Sequence, residues 1–175
     1  MGKYNVRITK NKQGHHVFRA RRVIKSIKGQ ATPITVATSA TVGVRTLPEA
    51  GFTETQIEAH RDRAKDGGSK GRVLYVLADG VPIAFMGIHR PDSGPITGEA
   101  VVASSTLASR QQRIVIESML ECATEISVAS KRRKGALGWT TNSDATRRLL
   151  VGFEFATSKK PKWCDRTHYL LRSET

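Results

Sequence analysis

The spacing of apolar and polar residues changes several times along the chain, and each change marks an element. Tyr4, Val6 and Ile8 alternate with Asn5, Arg7 and Thr9, which predicts a short strand before a polar turn at residues 10–16. Over residues 17–27 two readings stay open. Val17, Ala20, Ile24 and Ile27 fit a helical stripe, whereas the β-branched residues favour extended chain. Ile34, Val36, Thr38, Ala40, Val42 and Val44 then alternate as a half-buried strand would. A helix follows, running to about Lys65. Thr53 and Gln56 form a capping box at its start, and Phe52 with Ile57 supplies a hydrophobic staple. Residues 72–78 and 81–90 flank Asp79-Gly80, a strong hairpin signal, and Pro82 removes a ladder donor from the second strand. Residues 99–105 read as a further strand. The longest helix spans Ser109–Ala129, with Ser109 and Gln112 as its capping box. Ile116, Met119, Leu120, Ala123 and Ile126 form its apolar face.

The densest unit is residues 135–155, GALGWTTNSDATRRLLVGFEF. Ala136, Leu137 and Trp139 make a short strand, and Asn142 or Ser143 caps a helix over residues 142–151. Asp144 lies in its first turn and Arg147 and Arg148 near its end, as the helix dipole favours. Ala145, Leu149 and Phe153 form its stripe, Gly152 offers a left-handed stop, and the chain re-enters a strand at Phe153. Taken by itself this is a β-α-β corner. Residues 154–157 and 167–172 read as the last two strands.

Asn142, Ala145 and Gly152-Phe153 resemble the Asn-x-x-Ala…Gly-Phe signature of the GNAT superfamily, the acetyl-CoA-dependent N-acyltransferases. The order of elements over residues 34–172 also resembles that family. The resemblance implies an α/β (α+β) fold: a GNAT-like mixed central sheet flanked by helices. The domain would span residues 34–175, and residues 1–33 would be a basic N-terminal arm. It further implies that the strands at residues 99–105 and 135–141 splay into a V around coenzyme A. The C-terminal two-thirds is also similar to GNAT-like internal virion proteins of T7-like podophages.

Charge adds a partner to this picture. The 175 residues carry a net charge of +14. Residues 1–46 hold ten Lys or Arg and no acid, the first acid being Glu49. Such a distribution predicts an anionic partner, either nucleic acid or an acidic protein surface. Arg19, Arg21, Arg22, Lys25 and Lys28 are its candidate contacts. Cys122 and Cys164 have no metal-ligand spacing, and His15, His16, His60 and His89 lack metal-like partners, so no metal is expected. A buried free thiol at Cys122 favours a reducing compartment. The apolar stretch at residues 73–88 is broken by Asp79-Gly80 and Pro82 and cannot span a membrane. No secretory leader is expected, because the first residues lack an apolar run.

The candidate chemistry follows from the resemblance. A coenzyme A site needs a helix N-terminus for the pyrophosphate and backbone groups for the pantetheine. Val102, Ser104, Arg110, Gln111, Arg113 and Asn142 are its candidate residues. Arg110 takes the first position of the family's Gln/Arg-x-x-Gly-x-Gly/Ala pattern, while Arg113 and Val115 stand where that pattern has small residues. Glu99 is the candidate base and Tyr169 the candidate proton donor, with His168 beside it. Three functions are expected from these features. The first is a non-catalytic, phage-derived virion component whose basic arm touches other virion proteins or nucleic acid. The second is an active acetyl-CoA-dependent N-acetyltransferase acting on an amine. The third is a nucleic-acid-binding module. The expected location is the virion or the host cytoplasm.

Overall fold

The computed structural model describes residues 3–25, 33–67, 72–91, 94–131, 137–141, 144–153, 155–158 and 167–171. Strands β1 (Arg7–Lys10) and β2 (His16–Arg19) form an N-terminal antiparallel hairpin. A second sheet contains β3 (Arg21–Ile24), β4 (Ile34–Thr38), β5 (Val73–Ala78), β6 (Val81–His89), β7 (Ile96–Ala103), β8 (Leu137–Thr141), β9 (Ala156–Ser158) and β10 (Thr167–Leu171). Its spatial order is β3-β4-β5-β6-β7-β8-β10-β9. The β7–β8 pair is parallel and the other pairs are antiparallel. Helices α1 (Glu54–Gly67), α2 (Ser109–Ala129) and α3 (Asp144–Gly152) complete the mixed, helix-flanked sheet that the order of elements predicts.

The sequence of β5 explains why the sheet is covered on both faces. Val73, Tyr75 and Leu77 pack with Leu47, Phe52 and Phe85 on the α1 side. Leu74 and Val76 alternate with them and join Met119, Ala123 and Ile126 on the α2 side. A strand buried on both faces needs an unbroken apolar run, and VLYVLA supplies one. The β5–β6 hairpin turns on Asp79 and Gly80, both at positive φ (52° and 76°), as a type I′ turn requires. The expected α1 devices also form. Gln56 N donates to Thr53 Oγ1 at 3.2 Å, and Thr53 N donates to Gln56 Oε1 at 2.9 Å.

Several local expectations are corrected. Residues 16–19 and 21–24 are strands, which settles that part of the ambiguous stretch in favour of its β-branched residues, while Ile27 lies outside the described residues. The strand beginning at Ile34 ends at Thr38 rather than Val44. Thr41 N and Oγ1 both donate to Thr38 O and turn the chain, while Val42 and Val44 pack into the α1-side cluster. At α2 the N-cap is Ala108, one residue earlier than expected, and its N–H donates to Gln111 Oε1 at 3.2 Å. Gly152 closes α3 without a positive φ; instead Phe153 N bonds Leu149 O and Leu150 O. Leu149 and Phe153 of the expected stripe are half-buried against the core, and Leu150 beside them is fully buried.

Candidate active site

The parallel ladder between β7 and β8 is short. Ile96, Thr97 and Gly98 pair with Leu137, Gly138 and Trp139, and there the pairing stops, although β7 continues to Ala103 and β8 to Thr141. The cause lies on the other side of β7. Phe85 opposes Val102 and Gly87 opposes Glu99, so Met86 faces two residues, Ala100 and Val101. The extra residue is a β-bulge, and Ala100 adopts a positive φ of 44° to make it. A bulge bends its strand, so β7 leaves β8 at this point. The backbone of residues 99–103 keeps β6 on one side and has no strand partner on the other among the described residues. This is the expected V. Because both strands run the same way, its mouth lies at their C-terminal ends, where α2 and α3 begin.

Trp139 closes the narrow end. Its ring covers Gly98, its neighbour across the ladder, and meets Phe155 edge-on at 6.2 Å. Glu99 is the first residue past this closure. Its side chain lines a cavity of about 310 Å³ on the α1 side, shared with Asp62, Arg63, Arg72, Gly87, Ile88 and His89. Glu99 Oε2 lies 3.9 Å from Arg63 Nε, and the Arg63 side chain crosses the bare backbone of Gly87.

At the mouth, α2 offers its first turn to an anion. Ala108 has no acceptor with which to cap it, and the side chains at 108 and 109 are small. Arg110 is exposed there. Gln111 accepts the Ala108 N–H. Arg113 lies one turn further along, where its guanidinium donates to Gly152 O at 3.2 Å and sits 5.0 Å from the Phe153 ring centre. Val115 is fully buried in the core. Ser104 is also buried, under the Gly51 loop, with Oγ 2.8 Å from Thr106 Oγ1. Val102 packs against the α1-side cluster. What would suit a coenzyme A molecule here is backbone, the unpaired edge of residues 99–103 and the first turn of α2, with Arg110 exposed beside it; Val102, Ser104 and Arg113 are held in the protein's own contacts.

Tyr169 stands on β10 opposite Trp139; its side chain and Asn142 lie outside the described residues. Of the basic arm, Arg19 donates to Ala40 O at 3.0 Å, and Arg22 stacks over Tyr4 at 5.6 Å. Arg21 and Lys25 are exposed on and just after the edge strand β3, while Lys28 lies outside the described residues. Lys3 and Tyr4 are held against α2: Lys3 N and Tyr4 N both donate to the Glu125 carboxylate, and Lys3 Nζ pairs with Glu121 at 2.9 Å. His60 and Tyr75 form a buried pair behind the cavity, with His60 Nε2 3.0 Å from the Tyr75 hydroxyl. Burial lowers the His60 pKa and pushes that of Tyr75 up to about 12. Cys122 is a free buried thiol whose pKa burial raises. Among the described residues there is no cluster of His, Cys, Asp or Glu able to hold a metal. No described helix is long and apolar enough to cross a membrane.

Asp62, Arg63, Arg72, Gly87 and Ile88 are cavity residues that sequence reasoning missed. Nothing in the sequence marked Arg63, which is one of several charges on a polar helix.

No family model matches this sequence, and no curated protein does. Solved structures do match. A protein of the GNAT acetyltransferase family from Desulfovibrio desulfuricans superposes with a TM-score of 0.52 at 14% identity, covering 88% of this chain and 98% of its own. The Campylobacter jejuni N-acetyltransferase PseH, solved with acetyl coenzyme A, gives a TM-score of 0.44 at 15% identity over 70% of this chain and 84% of its own. Bacillus subtilis YlbP, solved with coenzyme A, gives 0.43 at 11% identity over 70% and 86%. The Desulfovibrio match shows that the fold is that of the GNAT acetyltransferases.

Proposed function

We propose that this chain is an acetyl-CoA-dependent N-acetyltransferase with Glu99 as general base. The observation that carries the reading is the position of Glu99: directly past the last β7–β8 pair, with its carboxylate in a cavity beside the cleft. Acetyl-CoA would supply an acyl group activated as a thioester. The unpaired backbone of residues 99–103 would hold the pantetheine amides. The first-turn N–H groups of α2 would hold the pyrophosphate, with Arg110 adding charge. An ammonium group has no lone pair, so the acceptor must lose a proton before it attacks. Glu99, side chain 42% exposed, is accessible to take that proton directly or through one water. Tyr169, one strand beyond β8, is the residue assigned to return a proton to the leaving sulfur.

The test is Glu99→Gln, which keeps the shape of the side chain and removes the base. A loss of roughly 10²–10⁴ in kcat is expected, with acetyl-CoA affinity unchanged. An unchanged kcat would remove Glu99 from this role.

A second reading is a non-catalytic component of a phage particle, which would reside in the virion. The exposed Arg21 and Lys25 would suit the anionic partner that this reading needs, and Arg21 and Arg45 line one depression of about 620 Å³. Basic residues on an edge strand also guard against unwanted strand pairing, which needs no partner at all. If these residues follow phosphates, Arg21→Gln with Lys25→Gln should flatten the dependence of log affinity for nucleic acid on log salt. An unchanged slope would rule these two residues out.

A further inference from the structure

The cavity beside Glu99 is lined by charges of both signs. Arg63 and Arg72 come from α1 and from the residue before β5; Asp62 and Glu99 come from α1 and β7. The Nε atoms of both arginines are buried, and neither has a hydrogen-bond acceptor among the described residues. For Arg63 the nearest carboxylate oxygen, on Glu99, is 3.9 Å away, beyond hydrogen-bond range. One end of the Arg63 guanidinium is anchored, since Nη1 donates to Ala59 O at 3.1 Å. The bare backbone of Gly87 leaves room for its stem: a Cβ there would stand 3.0 Å from Arg63 Cδ and 3.2 Å from Nε.

A buried donor without an acceptor is costly, and native structures rarely keep one without a purpose. Here both arginines line one small cavity, so an anion entering it would meet two guanidinium groups. A planar guanidinium presents parallel N–H groups that match a carboxylate edge-on. At the same cavity, Glu99 and Asp62 favour a positive or proton-donating group. We infer that the acceptor is a small amine that also carries a carboxylate, with the carboxylate on Arg63 and Arg72 and the nitrogen towards Glu99. A volume of about 310 Å³ suits a molecule of that size. The orientation of the nitrogen rests on the acetyltransferase reading; the carboxylate site stands on the two arginines alone.

The test uses the full chain and three probes of increasing length: glycine, β-alanine and 4-aminobutyrate. Each is compared with its own carboxamide, which keeps the amine and removes the negative charge. Binding is measured calorimetrically with and without coenzyme A, and turnover is measured with acetyl-CoA. At least one acid should bind ten times or more tightly than its amide. Arg63→Gln and Arg72→Gln should each bring that acid to the level of the amide. Arg63 also supports α1, so the unmodified protein and Arg72→Gln decide the matter if Arg63→Gln fails to fold. Equal binding of every acid and its amide would overturn the inference, as would a preference that survives Arg72→Gln. Turnover of acids and amides alike would overturn the carboxylate site and leave acetyl transfer standing. An arginine-dependent preference for an acid without any acetyl-CoA binding would do the reverse.

Discussion

The ring of Trp139 occupies the space above Gly98 in which any side chain would stand, and these two residues form the last pair of the parallel ladder. A Cβ on Gly98 would overlap the six-membered ring of Trp139 and come within 3.1 Å of Met86 Cε. Trp139 is 2% exposed and packed on Phe155, so it has nowhere to retreat. Gly98→Ala should therefore destabilise the protein by about 1–3 kcal/mol, the usual range for overpacking a core. It should also displace the point at which β7 and β8 part. Denaturant unfolding together with acetyl-CoA titration checks both effects. Unchanged stability would mean that the ring is not fixed there.

Gly87 sits opposite Glu99 and should behave differently. The atoms its Cβ would meet belong to the flexible stem of Arg63, which can shift by a few tenths of an ångström. Gly87→Ala should leave folding within about 1 kcal/mol, since alanine also restricts the unfolded chain. The KM for the amine should rise as Arg63 moves, while acetyl-CoA affinity stays constant. Steady-state kinetics with each substrate varied in turn separates the two. An effect confined to acetyl-CoA would contradict the assignment of this cavity to the acceptor.

Buried His60 links stability to pH. Desolvation lowers its pKa below the ordinary 6.5, so the unfolded chain takes up this proton more readily than the folded one. Stability from this site is therefore complete above pH 6.5 and is lost as the pH falls from there through the folded-state pKa. The slope contributed by one group is at most about 1.4 kcal/mol per pH unit. Denaturant unfolding between pH 7 and pH 5 should be steeper in pH for the native sequence than for His60→Phe. Parallel profiles would place the proton elsewhere.

Much of this fold could be read from the sequence because local chemistry and tertiary structure agree in those places. Asp79-Gly80 makes the turn its residues favour, Thr53 and Gln56 cap α1, and Ser109–Ala129 is helical over the predicted span. Agreement fails where tertiary contacts take over a local pattern. Val42 and Val44 keep the alternation of β4, yet their burial comes from packing in a loop against the α1-side cluster. The bulge at Ala100 had no glycine to announce it. Its existence follows only from the offset between Phe85–Val102 and Gly87–Glu99. Of the candidate site, Glu99 and the α2 N-terminus were legible from their places in the order of elements. Arg63 and Arg72 were not, because a charge on a polar helix and a charge before a strand look alike until folding brings them to one cavity.

The most direct measurement is calorimetric titration of the unmodified chain with acetyl-CoA. The parted β7 and β8 strands and the uncapped first turn of α2 predict saturable binding at one site per chain. Arg110→Ala should weaken that binding by roughly 10- to 150-fold, since a charge-assisted hydrogen bond contributes about 1.5–3 kcal/mol. No heat of binding at millimolar acetyl-CoA would contradict the account and leave the fold as a scaffold without its chemistry.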